Sequence, residues 1–259
     1  MAHGWLPAVT RLGGIGNRLL AALPRVDLDL LAPELETVAL NPDAVLTRAG
    51  DQIEYVLFPH SGTISLMIDM ASGETVATAA VGREGAIGLL SVLGPSPSAA
   101  TAIVRAAGTA SRIPALKFHA AFNRSAAIRH AVQIHTRAML LLFQLGAACN
   151  AVHSVKARMA RWLLHLRDHN DHDVLPVTQE ALSQMLGVRR TTVTLLMRNL
   201  RAPGAIRSDR RGRIEIDRPR LAAVACECHG TMHREVEQIF SRNSVRSRLL
   251  IVPDAEFGM

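Results

Sequence analysis

Residues 177–216, VTQEALSQMLGVRRTTVTLLMRNLRAPGAIRSDRRGRIEI, carry the pattern that decides the fold of the C-terminal region. Thr178 is a favourable N-cap, and the apolar residues after it recur at helical spacing, which predicts a first short helix. Gly187 interrupts that pattern and permits a tight turn. A second helix is predicted from about Arg189 to Arg201. Two short helices joined by a glycine turn are typical of a helix-turn-helix.

The second helix has one apolar face and one basic face. Its inward stripe consists of Val193, Leu196, Met197 and Leu200. Arginine can bridge the O6 and N7 atoms of guanine, and threonine can meet base edges or phosphates, so the opposite face suits DNA. The alternative is an ordinary basic face in contact with solvent. The predicted DNA contacts of this helix and its flanks are Thr178, Arg189, Arg190, Thr191, Thr192, Thr194, Arg198 and Arg201.

Residues 205–216, AIRSDRRGRIEI, follow as a predicted strand, a turn at Gly212 and a second strand. This hairpin is rich in arginine, and its positive charges are expected to neutralise backbone phosphates and make the affinity depend on salt. The arginines in question are Arg207, Arg210, Arg211 and Arg213. The order helix, turn, helix and basic hairpin predicts a winged helix that reads DNA.

The charge distribution agrees with that assignment. The formal net charge is +7, and residues 154–248 hold 18 Lys or Arg against 10 Asp or Glu, whereas residues 1–153 hold 11 against 10. A genome rich in G and C would favour arginine everywhere, but it would not concentrate the excess in one half. The excess therefore points to a polyanionic partner for the C-terminal half.

The N-terminal half reads as strands followed by a long helix. Seven short segments between residues 35 and 113 are rich in β-branched residues and are separated by glycine- or proline-containing turns, which predicts an antiparallel barrel or roll. From residue 125 to residue 150 there is no proline and one glycine, which favours a helix. A heptad stripe on it predicts a dimer seam, the alternative being packing on its own barrel. The stripe consists of Ile128, Val132, His135, Met139, Leu142, Gly146 and Cys149.

At this point the chain resembles the cyclic-AMP receptor protein/fumarate-nitrate regulator (Crp/Fnr) superfamily of bacterial transcription factors, from about Leu23 to Gly230. The winged-helix segment above, preceded by HSVKARMARWLL, is the specific part, and FPHSGTISLM and VGREGAIGL look like effector-domain strands and a turn of that superfamily. The resemblance implies an α+β fold: an N-terminal β-roll of the cyclic-nucleotide-binding type, a long dimerisation helix and a C-terminal winged helix. It also implies a homodimer, two-fold symmetric double-stranded DNA and RNA polymerase as partners.

The resemblance divides the chain into five parts. They are an N-terminal arm (1–24), an effector domain (25–124), a dimerisation helix (125–152), a DNA-binding domain (153–230) and a C-terminal extension (231–259). The extension looks helical and basic, and it is expected to pack on the winged helix.

The base-reading positions only partly match the family. Arg190 matches the first recognition-helix arginine, and Thr192 matches a threonine commonly placed at the phosphate backbone. The glutamate that follows that arginine in the family is Thr191 here, and the later base-contacting arginine is Leu195. The base preference is therefore expected to differ from that of the cyclic-AMP receptor.

The effector domain departs further from the pattern. Members that bind a nucleotide hold its ribose with a Gly-Glu pair and its cyclic phosphate with an Arg-Ser pair. Glu84 is kept here, but Pro97 stands where the arginine is expected, before Ser98. A buried phosphate without that arginine lacks charge compensation, so no cyclic-nucleotide cofactor is expected. Arg83 or Arg105 could take the place of the missing arginine. An open pocket formed by Arg83, Glu84, Ser98 and Arg105 would favour a ligand or redox sensor that gates DNA binding.

Other constellations are weaker. Cys226, Cys228 and His229 form C-E-C-H, which is one ligand short of a zinc site, and no metal is predicted. The three cysteines, an odd number, fit a reducing compartment, although Cys149 on the seam could oxidise with its mate in a second chain. The segment HLRDHNDHD, residues 165–173, offers histidines at helical spacing but reads as the solvated end of a helix.

Several classes of protein are not expected. The sequence has no hydrolase elbow, Walker loop or strand-borne dinucleotide fingerprint, so an enzyme is not predicted. The first 25 residues lack the basic start and continuous apolar core of a signal peptide, and no apolar run is long enough to span a membrane. A cytoplasmic protein is therefore expected.

Overall fold

The computed structural model of the chain describes residues 16–94, 96–170, 173–209 and 213–249. The strands are β1 (Glu36–Leu40), β2 (Val45–Thr47), β3 (Tyr55–Pro59), β4 (Thr63–Asp69), β5 (Thr75–Val81), β6 (Thr101–Ala106), β7 (Gly108–Pro114), β8 (Val174–Leu175), β9 (Ile206–Ser208) and β10 (Ile214–Ile216). The helices are α1 (Arg18–Ala21), α2 (Arg25–Leu28), α3 (Ala115–Arg124), α4 (Ala126–Val152), α5 (Val155–Asp168), α6 (Gln179–Leu186), α7 (Arg190–Arg201), α8 (Arg218–Val224) and α9 (Cys228–Leu249).

The first seven strands form an antiparallel roll, as the β-branched segments and their turns predict. One sheet has the order β1-β7-β3 and the other the order β2-β6-β4-β5. The β3–β4 connection needs glycine, because Gly62 has φ +81° and a Cβ there would lie 2.6 Å from the Ala106 carbonyl oxygen. Apolar residues from both sheets, among them Val38 and Ile64, fill the roll.

The long helix α4 begins after Ser125, whose hydroxyl accepts a hydrogen bond from the Ile128 amide at 3.0 Å, and it ends at Val152. The stripe predicted as a dimer seam on α4 packs on the chain's own core, which was the alternative interpretation. Its side chains are buried or half-buried within the single chain. Ile128 and Val132 join the apolar core formed with α1, α3 and the roll, and Met139 joins the core inside the roll. The seven residues concerned are Ile128, Val132, His135, Met139, Leu142, Gly146 and Cys149.

A second face of α4 is covered by α9, which continues the chain beyond the winged helix. Met232 of α9 clusters with Leu142 and Leu145, and Phe240 belongs to the same core as Ile134. Residues 231–249 of the extension are helical as predicted, but the packing of this helix was predicted wrongly. It lies mainly on α4 rather than on the winged helix, because its apolar residues match the second stripe of α4.

A third face of α4 is apolar and open. Leu140 is 56% exposed and Phe143 is 36% exposed, and Ala147 and Ala151 continue the stripe at helical spacing.

Among the described residues, no helix combines the length and the hydropathy that crossing a membrane requires.

The C-terminal unit is a winged helix built on α5, α6, α7 and the sheet β8-β10-β9. Its core contains Leu163, Leu182 and Leu200, all fully buried. Met67 and Ala77 of the roll belong to that same core, because α6 packs directly on β5. The DNA-binding unit and the roll therefore share one apolar core.

Candidate nucleic-acid interface

The turn between α6 and α7 forms as its sequence predicts. Thr178 caps α6, its hydroxyl accepting a hydrogen bond from the Ala181 amide at 3.0 Å. Gly187 ends α6 in the left-handed conformation, with φ +64°. Arg189 is the N-cap of α7 rather than its first residue. These features set α7 across α6 with its N-terminal end open to solvent.

The outer face of α7 is exposed, and it contains no acidic residue. The inner stripe of Val193, Leu196, Met197 and Leu200 is buried. Thr192 is half-buried, and the rest of the outward set is exposed, including the capping threonine of α6. That exposed set consists of Thr178, Arg189, Arg190, Thr191, Thr194, Arg198 and Arg201.

Two further residues belong to this surface: Gln179, which was missed from the sequence, and Leu195, which was noted only as standing in place of a base-contacting arginine. The Thr194 hydroxyl donates to Gln179 Oε1 at 2.9 Å, which joins the first turn of α6 to the middle of α7 and brings Gln179 to the edge of the interface. Leu195 is 55% exposed among the arginines. An exposed leucine there is suited to contact a thymine methyl group. The position of Gln179 directly after the N-cap was the available signal.

The wing is a hairpin of β9 and β10, in which Arg207 pairs in register with Glu215. Arg213 Nε donates to Asp209 Oδ2 at 2.7 Å, so Arg213 holds the two strands together across the turn. Arg213 stays a predicted phosphate contact, and its side chain is 52% exposed beside the Asp209 carboxylate. Arg210 and Arg211, also predicted contacts, lie outside the described residues.

The residues predicted to ring an effector pocket contact the DNA-binding unit instead. Glu84 pairs with His169 Nε2 at 2.9 Å, and Arg83 donates to the Asp168 carbonyl oxygen at 3.1 Å, both at the C-terminal end of α5. A Cβ at Gly82 would lie 2.4 Å from the His169 ring, so the turn after β5 touches that ring closely. These contacts also correct the interpretation of residues 165–169 as a solvated helix end.

Arg105 forms a second junction. It is buried, and its Nη2 donates to Gln184 Oε1 of α6 at 2.8 Å while Nη1 lies 3.4 Å from Asp43 Oδ1. Ser98 contacts none of these groups, because its hydroxyl donates to the Ala100 carbonyl at 2.7 Å. The four predicted pocket residues are therefore not gathered around one cavity. A cleft that does lie between α4, β5 and α5 is lined by other residues, including Trp162 and His165.

Buried histidines surround the Glu84 carboxylate. Burial alone would raise the pKa of Glu84, but the His169 imidazole and the Gly82 amide lower it well below its usual range. Burial opposes protonation of His169, but Glu84 outweighs it and raises the pKa of His169. Burial lowers the pKa of His165 to about 3 and that of His135 to about 4. The junction therefore places an ionised Glu84 beside a histidine with a raised pKa, and its other two histidines are neutral near neutral pH.

The C-E-C-H segment does not act as one group. His229 Nε2 lies 2.9 Å from Asp168 Oδ2, away from the two cysteines. Cys149 is fully buried 3.6 Å from Cys226, so it does not face a second chain as predicted.

Comparisons with known proteins agree with this architecture. Solved structures with the same fold include FixK2 from Bradyrhizobium japonicum, with 15% identity and a TM-score of 0.62 over 74% of this chain and 98% of that chain. A Crp/Fnr-family transcriptional regulator from Eubacterium rectale has 18% identity and a TM-score of 0.64 over 80% and 96%. The c-di-GMP-responsive regulator CLP of Xanthomonas campestris has 16% identity and a TM-score of 0.60 over 74% and 99%. At such identities the likeness establishes the fold.

A comparison with curated protein sequences gave no match. Two domain models do match the sequence. The model of the cyclic nucleotide-binding domain matches residues 37–125, and the model of the Crp-like helix-turn-helix domain matches residues 157–224. Together they cover more than half of the chain, in the order in which the roll and the winged helix occur, and the chain belongs to the Crp/Fnr superfamily of transcription regulators.

Proposed function

We propose that the chain is a homodimeric, sequence-specific transcription regulator whose α7 enters the major groove of a two-fold symmetric DNA site. The observation that carries the proposal is the outer face of α7, which is exposed, free of acidic residues and rich in arginine and threonine. Arg190 at the first turn is in the position from which a recognition helix reads base edges. Such a regulator contacts RNA polymerase and works in the cytoplasm, where its DNA is.

Selection from genomic DNA tests the proposal. The purified protein is mixed with sheared genomic fragments at about 150 mM salt, and the bound fraction is sequenced. A palindrome with half-sites about one helical turn apart is expected. Arg190→Ala should lose the preference among sequences by about 1–3 kcal/mol while it keeps most of its affinity for bulk DNA. Arg25→Ala removes the same charge from an exposed position on α2 and should leave the motif intact. Equal enrichment of all fragments would contradict sequence-specific binding.

The open apolar face of α4 supports a dimer contact different from the heptad seam. A second copy would cover Leu140 and Phe143, and the small residues Ala147 and Ala151 let two backbones approach closely. Leu140→Asp should shift the protein from dimer to monomer in sedimentation equilibrium, because a carboxylate would be buried at the contact. Leu116→Asp is the matched control, since Leu116 is 82% exposed on α3. A dimer that survives Leu140→Asp unchanged would contradict this contact.

We further infer that no cyclic nucleotide is held at the usual place of the superfamily. Glu84 is paired with His169, Arg105 is paired with Asp43 and Gln184, and Pro97 replaces the phosphate-binding arginine. Cyclic AMP and cyclic GMP at millimolar concentration should change neither the melting temperature nor the affinity for DNA. A clear rise in the melting temperature would contradict this inference, because a ligand that binds only the folded state stabilises it.

A second candidate function is a sensor in which the roll gates DNA binding. The observation that favours it is that α5 and α6 are docked on the roll through Glu84 and Arg105. In a gated regulator, an effector would compete for these side chains and release the docked unit. Glu84→Gln and Arg105→Gln should then change the affinity for DNA without touching the interface, whereas an ungated regulator would keep its affinity in both variants.

A further inference from the structure

Four side chains that the DNA-binding surface does not use converge at the base of the winged helix. Cys149 lies in the last turn of α4, and His153 is the C-cap that follows that helix. Cys226 lies between α8 and α9, and Cys228 is the first residue of α9. The three sulfur atoms and one ring nitrogen all lie within 4.8 Å of one another. The cysteines are buried, and none of them is in a disulfide.

Two of the six ligand-to-ligand distances match the edge of a tetrahedron around one ion, and the other four do not exceed 4.8 Å. Zn²⁺ with sulfur at about 2.3 Å and nitrogen at about 2.0–2.1 Å separates neighbouring ligand atoms by about 3.6–3.8 Å. Cys149 Sγ and Cys226 Sγ are 3.6 Å apart, and Cys228 Sγ is 3.6 Å from His153 Nδ1. A disulfide would need sulfur atoms about 2.05 Å apart, which the Cys149–Cys226 pair does not meet.

The histidine is oriented for metal binding by its other nitrogen. His153 Nε2 lies 3.1 Å from Glu227 Oε1, which leaves Nδ1 directed toward the sulfur atoms. Histidines that ligate metals commonly donate their second ring N–H to a carboxylate, which selects the tautomer and strengthens the ligand. Glu227 stands between the two cysteines of the C-E-C segment, so one short stretch supplies two ligands and the group that orients a third.

Two arginines provide matching charge. Three thiolates, a neutral imidazole and Zn²⁺ carry a net charge of about −1. Arg158 interacts electrostatically with Cys149 and Cys226, and Arg161 with Cys226. The Nε–H groups of both arginines are buried, and neither finds a hydrogen-bond acceptor among the described residues. An anionic metal site beside these two guanidinium groups would be stabilised by their positive charge.

We propose that Cys149, His153, Cys226 and Cys228 bind one Zn²⁺ ion as a closed, structural Cys₃His site. The ligands come from just before and just after the winged helix, and Cys149 and Cys226 are 77 residues apart. The ion therefore clamps the two ends of the DNA-binding unit to each other and to α9. Closing a loop of that length restricts the unfolded chain strongly, so the ion stabilises the fold as a cross-link does.

Cobalt substitution tests the ligand set directly. The full-length protein is stripped of metal with a chelator under reducing conditions and titrated with Co²⁺. One equivalent should produce the intense thiolate-to-cobalt charge-transfer absorption and the visible bands of a tetrahedral site, and Zn²⁺ should abolish both. Zinc should also protect all three cysteines from alkylation until the chelator is added, a measurement that needs no variant.

Variants separate the proposed ligands from their neighbours. Cys226→Ser and His153→Ala should each weaken Co²⁺ binding by more than the about 10–100-fold expected of Glu227→Gln, whose carboxylate only orients a ligand. His229→Ala is the matched control, because His229 is adjacent in sequence to Cys228 but pairs with Asp168, and its Co²⁺ spectrum should be that of the wild type.

Four results would overturn the proposal: absence of the thiolate band in the wild type, an unchanged spectrum in His153→Ala, iron with labile sulfide in the purified protein, and a Cys149–Cys226 disulfide that forms in place of metal uptake. If Cys226→Ser does not fold, the wild-type titration and the alkylation protection still decide between these outcomes.

Discussion

The buried histidine His135 makes the stability of the fold sensitive to acid in a way that can be calculated. Its side chain is 3% exposed on the roll-facing side of α4, and burial lowers its pKa to about 4, offset only in part by the Glu84 carboxylate. In the unfolded chain a histidine titrates near pH 6.5. The unfolded state therefore binds this proton first, and stability is lost as the pH falls below about 6.5. At pH 5 the loss from His135 amounts to about 2 kcal/mol.

The neighbouring groups change the stability with pH in opposite directions, so only a difference between the variant and the wild type isolates the contribution of His135. His165, with its pKa lowered to about 3, also destabilises the fold on acidification. His169 acts oppositely, because its raised pKa adds stability at low pH that disappears as the pH rises through the folded value. Glu84, whose pKa is lowered, adds stability above its unfolded pKa and stays ionised at pH 5.

The test uses His135→Leu and urea unfolding followed by circular dichroism at pH 7.5 and pH 5.0. Between the two pH values the variant should lose about 2 kcal/mol less than the wild type. Each variant is compared with itself, so the change in packing cancels. Met139→Leu alters packing on the same face but keeps the histidine, and it should show the wild-type loss. Equal losses in His135→Leu and in the wild type would refute the reasoning.

Substitutions at four further residues have outcomes set by local geometry. Glu84→Gln removes one partner of the buried pair with His169 and should lower the free energy of unfolding by about 3–5 kcal/mol at pH 6. The loss should become smaller as the pH rises through the folded pKa of His169, and urea unfolding measures both values. Gly187→Ala forces a side chain into φ +64° and should lower the free energy of unfolding by about 1–2 kcal/mol. Gly146→Ala, inside α4, should raise it by about 0.5–1 kcal/mol. The melting temperatures of the two variants should therefore shift in opposite directions, and shifts of the same sign would contradict the geometry. Thr178→Ala should lose about 1 kcal/mol with the cap, and Thr178→Ser should keep it.

The local parts of the fold were predictable because their causes lie close together in sequence. The cap at Thr178, the break at Gly187 and the stripe of α7 depend on neighbours within a few residues, and the structure has them as predicted. The seven strands of the roll follow for the same reason, since β-branched segments alternate with turn residues.

The predictions that failed concern which surfaces of the folded chain are in contact. The heptad stripe of α4 correctly indicates a buried face, but periodicity does not say whether the chain itself or a second chain covers it. Glu84 and Arg105 were predicted to line an effector pocket, but their partners His169 and Gln184 lie more than 75 residues away in sequence. The fourth member of the cysteine cluster, His153, is likewise separated by the whole winged helix from Cys226.

The apolar core shared by the roll and the winged helix limits how this regulator can be taken apart. Because Met67 and Ala77 complete a core built mostly from α5, α6 and α7, cutting the chain at residue 153 would leave an open hydrophobic patch on the excised half. A chimera that grafts this winged helix onto another sensory domain must bring along the outer surface of β4 and β5. For protein engineering, the transplantable unit is therefore larger than the sequence boundary of the DNA-binding domain.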